Sequence, residues 1–342
     1  MQPQKRRFRL SAVSLVLIIG LVSFIVYFYY YINPSQVVGI LSKTNIVYYS
    51  SAFLVYALFA FFSAFVWRSL LKNVGIKINV WKALLFTWVG LFFEATVPQL
   101  GFSGEVSKTY LLNKDLHIGA GEIGASVIGQ KILTDTLTVI AMALGLVLVL
   151  STYPLPFTIT FIISLILSLT ILTTILIYVV SLKPSTTKTL LNWSVHVCKL
   201  FRKSWNPQNF IEKAQDLLGR FHVGMLDLTG KPKALVKPIL FAILSFICEI
   251  SVTFTVFIAL GYPVPVEKVL VVFTLTGTLQ GIAVSFFGFP ELIMTLAFTA
   301  LGIPTAVAFS VTLLTRIVTL WFRLIISYVA LQWVGIKILR KQ

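Results

Sequence analysis

The sequence predicts an all-α polytopic membrane protein, with about six full transmembrane helices plus two opposed re-entrant helical hairpins in an inverted repeat. Three observations lead there. Of the 342 residues, 58% are hydrophobic and only 11% are charged, with a mean hydropathy of +0.93, whereas a soluble domain carries about a quarter charged residues. Several apolar runs reach the roughly 20 residues needed to cross a bilayer. Two further runs are each broken by a glycine/proline motif that carries a lone glutamate.

The first apolar run, 10–31, follows Lys5, Arg6, Arg7 and Arg9, a start like that of a signal peptide. It exceeds a signal core of about 7 to 15 residues, and no small-residue cleavage site follows. Tyr27, Tyr29, Tyr30 and Tyr31 suit an interfacial aromatic belt, so the run is read as a retained first helix. A second full span covers 45–66.

Next comes 81–97, which stops at Pro98 and returns over 106–116. The break reads Pro98-Gln99-Leu100-Gly101-Phe102-Ser103-Gly104-Glu105. A return of about 10 residues, at roughly 1.5 Å each, falls short of a hydrocarbon core about 30 Å thick. Residues 81–116 are therefore read as a re-entrant hairpin, the alternative being a proline-kinked full span. Such broken backbone is tolerated at membrane depth only where protein or a cavity surrounds it.

Full spans follow at 122–150 and 157–182. Residues 183–237 form a basic connector, too short for a catalytic domain. Within it Asn209 and Glu212 have capping-box spacing. Phe210, Ala214, Leu217, Leu218, Phe221, Met225 and Leu228 recur at helical intervals. This predicts an amphipathic helix, either lying on the membrane surface or packed beneath the bundle. A span at 238–260 leads to the second broken run, 269–287, which meets Gly288 and Pro290 and returns over 292–301. The last span is 305–334. Residues 1–342 thus form one transmembrane domain, with repeat halves 81–182 and 238–334 and re-entrant segments 81–116 and 268–301.

The basic residues set the orientation. With the N-terminus inside, only Lys43 and Lys268 fall on the far side, and Lys131, Arg316 and Arg323 lie within spans. The remaining lysines and arginines, Lys82, Lys108 and Lys114 among them, are cytoplasmic, as the positive-inside rule asks. The expectation is a multi-pass protein of the cell membrane with both termini cytoplasmic. The first hairpin then opens inward and the second outward. The net charge of +17 points to anionic lipid headgroups at the cytoplasmic face as partners, not to nucleic acid. The two cysteines suggest no disulfide framework. His117, His196 and His222 have no metal-ligand spacing. No Walker loop, dinucleotide fingerprint or nucleophile elbow occurs. Neither an enzyme, a metal site nor a cofactor is expected.

Five acids (Glu94, Glu105, Asp135, Glu249, Glu291) and three bases (Lys131, Arg316, Arg323) sit in or beside apolar spans. Charges at that depth are costly and mark function by default. Glu105 is followed by Lys131 26 residues on, and Glu291 by Arg316 25 residues on. Leu116-His117-Ile118 and Leu301-Gly302-Ile303 follow their glutamates with the same one-residue offset, which supports a repeat. Paired breaks in two halves are the sequence pointer to a transporter site.

Each glutamate starts a returning half-helix, where the helix dipole favours a carboxylate. It either caps that helix or lines a midplane site. In such a site the hairpin-tip N–H groups accept a phosphate, Lys131 and Arg316 add positive charge, and the glutamates bind a cation or carry a proton. Lys131 and Asp135, four apart, share a helix face and can neutralise each other. Arg316 and Arg323, seven apart, share another. One of them pairs with Glu249, or Arg323 snorkels to the cytoplasmic surface. The expected substrate-binding set is Glu105, Glu291, Lys131, Arg316, Asp135 and Glu249. The expected hairpin breaks are Pro98, Gly101, Gly104, Gly288 and Pro290.

The ordered pattern Pro98-x-x-Gly101-x-x-x-Glu105, Lys131-x-x-x-Asp135, Gly288-x-x-Glu291-x(9)-Leu301-Gly302-Ile303 and Arg316 resembles a known family over about 10–335. It is the transmembrane region of lysylphosphatidylglycerol synthases and their stand-alone flippase-like relatives. The resemblance implies movement of a lipid or lipid-linked molecule between leaflets. In bifunctional members a separate soluble domain makes the aminoacyl lipid. No room for it is seen here, so synthase activity is not implied. Two departures stand out. Lys131 replaces the family's usual arginine, which weakens a bidentate phosphate grip. Val284-Ser285-Phe286 replaces the usual proline and two glycines of the second motif, with Pro290 as a compensating break.

The expected function is alternating-access translocation of an anionic lipid or polyprenyl-phosphate-linked molecule. The alternative is a secondary transporter of a small solute. A lateral apolar opening would favour lipid, and a sealed polar cavity would favour solute.

Overall fold

A computed structural model describes residues 22, 25–26, 29–30, 32–97, 102–201, 207–282 and 288–339. Their regular structure is all helical, with no strand among them. Five helices are long and apolar enough to cross a membrane: Ile46–Asn73 (α2), Ala120–Thr152 (α5), Phe157–Leu182 (α6), Pro232–Ala259 (α9) and the stretch Thr305–Gly335. They correspond to five of the six expected spans; most of the sixth, 10–31, lies outside the described residues. The shorter helices are Pro34–Leu41 (α1), Val80–Thr96 (α3), Ser103–Leu116 (α4), Pro184–Phe201 (α7), Gln208–Thr229 (α8), Val266–Ile282 (α10) and Phe289–Ala300 (α11). The last span divides into Thr305–Arg316 (α12), a π-helical turn Ile317–Phe322, and Arg323–Leu339 (α13).

Asparagines start the early helices. Asn45 Oδ1 accepts from the N–H groups of Val47 at 3.0 Å and Tyr48 at 3.3 Å, and Asn79 Oδ1 accepts from Lys82 N–H at 2.7 Å. Each satisfies donors that a helix start otherwise leaves orphaned. At the centre α2 packs along α9. Ala52, Ala60 and Ala64 on α2 are fully or almost fully buried, and small residues let helix backbones approach closely in a bilayer. Ser245 Oγ bonds across this seam to Phe59 O at 3.1 Å. By contrast α6 is apolar yet exposed, with Phe157 and Leu172 projecting outward, as suits a lipid-facing helix.

Helices α3 and α4 lie antiparallel. Near their break Ser103 Oγ donates to Phe93 O at 3.0 Å, and at their far ends Lys82 Nζ meets Asp115 Oδ2 at 2.6 Å. The far ends of α10 and α11 also come near each other, Lys268 Nζ lying 4.0 Å from where a Cβ of Gly302 would stand. The ends of α2 locate both pairs. The Asn73 end carries Asn73 Nδ2 on Ala234 O at 3.0 Å and Arg68 Nε on Ile78 O at 2.9 Å, next to the start of α3. The Asn45 end carries Asn45 N–H on Ala259 O at 2.8 Å, seven residues ahead of the start of α10 at Val266. There Lys268 sits over the Tyr153 ring at 4.3 Å, and Tyr153 Oη bonds Glu267 at 3.4 Å.

The connector is more ordered than its composition suggests. Helix α8 begins at Gln208 behind Pro207, with no side-chain cap. Asn209 therefore lies inside the helix, and Asn209 with Glu212 forms no capping box. The proline, with φ already near a helical value, starts the turn earlier than the cap-like asparagine. Met225 and Leu228 pack with Val66, Leu70, Ala125 and Ala242. His222 is held between Thr187 Oγ1 at 2.7 Å and Ser181 O at 3.1 Å. This half of α8 is docked under the bundle, while Phe210 and Leu217 stay exposed. Helix α7 is an element that the sequence pattern left unassigned.

Candidate functional site

The second motif is built around Gly288. Its φ of 111° and ψ of −60° belong to glycine, because a Cβ would clash there. The Gly288 N–H donates to Glu291 Oε2 at 2.7 Å, closing the first turn of α11 with Pro290 inside it. The other oxygen, Oε1, accepts from Arg316 Nε at 2.6 Å. Glu291 has no exposed surface and the Arg316 side chain is 8% exposed. Beside them Thr295 Oγ1 donates to Thr312 Oγ1 at 3.2 Å. Both carboxylate oxygens are thus engaged, one as a helix cap and one in a buried ion pair.

The first motif is assembled differently. Pro98 and Gly101 lie outside the described residues; Gly104 is seated against the carbonyl of Gly90, which a Cβ would approach to 2.8 Å. That contact draws α4 against α3 and aims Glu105 inward. Glu105 Oε2 is buried and accepts no hydrogen bond among the described residues. The charges acting on it are those of Lys108, Glu94 and Lys131. Both lysines are engaged elsewhere. Lys108 Nζ donates to Gln130 Oε1 at 3.1 Å and sits 5.5 Å from the centroid of the Trp67 ring. Gln130 Nε2 in turn donates to Ser63 Oγ at 2.9 Å and Ser63 O at 3.2 Å. Lys131 Nζ pairs with Asp135 Oδ1 at 3.3 Å and lies over the Phe102 ring at the hairpin break, 5.2 Å from its centroid.

A third cluster joins the halves. Arg323 donates twice to Leu91 O, from Nε at 2.9 Å and Nη2 at 2.7 Å, and Nη2 meets Glu94 Oε2 at 3.1 Å. Glu249, half-buried on α9, feels the charges of Glu94 and Arg323.

Four expectations are corrected or sharpened. Lys108 is not at the cytoplasmic surface but 8% exposed. Gly90 leaves a slot for its stem, which a Cβ would meet at 3.0 Å, and Gln130 and Trp67 receive its head. Arg316 and Arg323 do not share a face. The intervening π turn has i→i+5 bonds, winds less per residue and sends Arg323 to α3. Arg323 neither snorkels nor takes Glu249 as its ion partner; Glu94 fills that place. Lys131 bonds Asp135, not Glu105, as the four-residue spacing allows, whereas Glu291 and Arg316 do meet. Residues that the sequence reading left out of the set are Lys108, Gln130, Glu94 and Arg323. Glu94 and Arg323 had a signal as charges in apolar sequence, and Lys108 had its place one turn after Glu105.

Two clefts occur away from these charges. One, of about 460 Å³, lies between the start of α5 and α8 and is lined by Gly119, Gly121, Lys213, Asp216 and Arg220. The other, of about 40 Å³, lies beside Lys82, Asp115 and Trp333. Among the described residues no group of three or more His, Cys, Asp or Glu is placed to hold a metal.

A family model described as the lysylphosphatidylglycerol synthase TM region matches residues 11–327. The chain is also similar to a UPF0104 membrane protein of Methanocaldococcus jannaschii, 27% identical over 330 residues, which covers 95% of this chain and 96% of the relative. A UPF0104 membrane protein of Pyrococcus horikoshii is 24% identical over 316 residues, covering 90% of this chain and 92% of the relative. No solved structure matches the chain.

Proposed function

The chain belongs to the lysylphosphatidylglycerol synthase TM region family, and from that premise we propose that it is a flippase-like translocator of an anionic lipid or lipid-linked molecule. The observation that carries the reading is the buried, unbonded Oε2 of Glu105, beside Lys108 and Lys131 at a broken hairpin. An uncompensated acid at membrane depth persists where function requires it.

In this proposal α3–α4 and α10–α11 are re-entrant hairpins of an inverted repeat. Their lengths support it. The 14 residues of α4 and 12 of α11 reach roughly 20 Å, short of a core of about 30 Å. Their bases, Lys82–Asp115 and Lys268–Gly302, also lie at opposite ends of α2. The substrate's phosphate would face Lys108 and Lys131, which act as point charges. Alternating access would require the Arg323 clamp between α3 and α13 to open. The basic end of the bundle, with Lys183, Lys188, Lys199 and Lys237, would face the cytoplasm and its anionic headgroups. Transport, not catalysis, is the activity proposed.

The test is reconstitution into vesicles with a fluorescent phospholipid and a polyprenyl-phosphate analogue. Wild type should move at least one of them between leaflets, and Glu105→Gln should abolish that movement while unfolding at an unchanged temperature. Equal movement by a folded Glu105→Gln variant would remove the proposal.

A further inference from the structure

Resting on the translocator reading above, we infer that Glu105 is the proton-carrying group of the transport cycle, so that each substrate movement takes up and releases one proton at its carboxyl.

The argument starts from the two glutamates that open the returning half-helices. Glu291 has both oxygens occupied, by the Gly288 N–H and by Arg316 Nε. Glu105 occupies the corresponding place, yet its Oε2 is buried without a donor among the described residues. Helix α4 packs against α3 and α5. The charged groups that face Glu105 from these elements are Glu94 on α3, Lys131 on α5 and, on α4 itself, Lys108.

None of the three gives Glu105 Oε2 a hydrogen-bond donor. Lys108 is held by Gln130, which Ser63 anchors in turn. Lys131 is held by Asp135. Glu94 is a like charge, fastened by Arg323. A carboxylate oxygen buried in this way is disfavoured while charged, and such a group relieves the cost by neutralising itself. The neutralising step is simple: a carboxylate oxygen accepts a proton from water on one side and forms an O–H bond. That proton returns to water on the other side.

Substrate binding provides the exchange. An anionic headgroup that draws Lys108 or Lys131 off its present partner leaves Gln130 or Asp135 behind. It also sets an anion beside Glu105, which favours the protonated carboxyl, so headgroup and proton are taken up together and released together. Glu291, with no free oxygen, serves as the fixed half of the pair.

The experiment uses the full chain in vesicles that hold a pH-sensitive dye in the lumen and a fluorescent phospholipid in the membrane. Infrared spectra of the same protein follow the protonated-carboxyl band. In wild type, lipid movement should change luminal pH, and an imposed pH gradient should speed movement several-fold. The band should weaken in Glu105→Gln, and Glu105→Asp should restore part of both signals. Lipid movement that neither changes luminal pH nor answers a gradient would overturn the coupling while leaving the translocator reading intact. Identical infrared bands in wild type and Glu105→Gln would overturn it as well. No lipid movement by wild type, with the band present, would instead remove the translocator reading and this inference with it.

Discussion

Residue by residue, the two motifs differ in how well their charges are satisfied, and this difference sets what substitutions should do. Breaking the Glu291–Arg316 pair takes the ion partner from a buried charge, which typically costs about 3–5 kcal/mol. Glu291→Ala and Arg316→Ala should therefore each lower the unfolding temperature in detergent strongly. A small shift would show that the pair carries no structural weight. Glycines offer a paired control. Gly104→Ala would drive a Cβ to 2.8 Å from the Gly90 carbonyl, whereas at Gly124 the nearest atom, on Phe221, would be 3.8 Å away. Gly104→Ala should destabilise by more than about 1 kcal/mol, as backbone-blocked sites do. Gly124→Ala should be neutral or slightly stabilising, because alanine is the better helix former. Comparable behaviour of the two would mean that α3 and α4 do not need their close approach.

Elements hold one another through a few polar fasteners. At the base of the first hairpin, Lys82 and Asp115 meet at 2.6 Å with side-chain exposures of 21% and 4%. A double-mutant cycle with Lys82→Ala and Asp115→Ala should give a coupling of about 0.5–3 kcal/mol, the range for residues in contact; additive effects would place the two side chains apart. The π turn at Ile317–Phe322 acts at the same scale. It separates the directions of Arg316 and Arg323, so one helix serves both the second motif and, through Leu91 and Glu94, the end of α3. The docking of α8 by Met225, Leu228 and His222 likewise turns a polar connector into part of the bundle.

For the molecule as a whole, the proposed pair of opposed hairpins makes a topological prediction. In a background lacking Cys198 and Cys248, single cysteines at Lys77 and Lys114 should react from the same membrane side, because a re-entrant segment returns to where it began. Cysteines at Lys43 and Lys268 should react from the other side. Labelling of positions 77 and 114 from opposite sides would make α3–α4 a kinked full span. The helical character and the spans were legible in the sequence. Five spans follow from a local property, an apolar run long enough for the bilayer. The Lys131–Asp135 pair was legible for the same reason, since four residues fix two side chains on one face. What only the tertiary structure decided is which distant charges meet. The burial of Lys108 against Gln130, the reach of Arg323 to Glu94, and the contrast between a satisfied Glu291 and an unbonded Glu105 depend on how helices far apart in the chain are set against each other. A spacing within one helix cannot carry that register, because it arises from the packing between them.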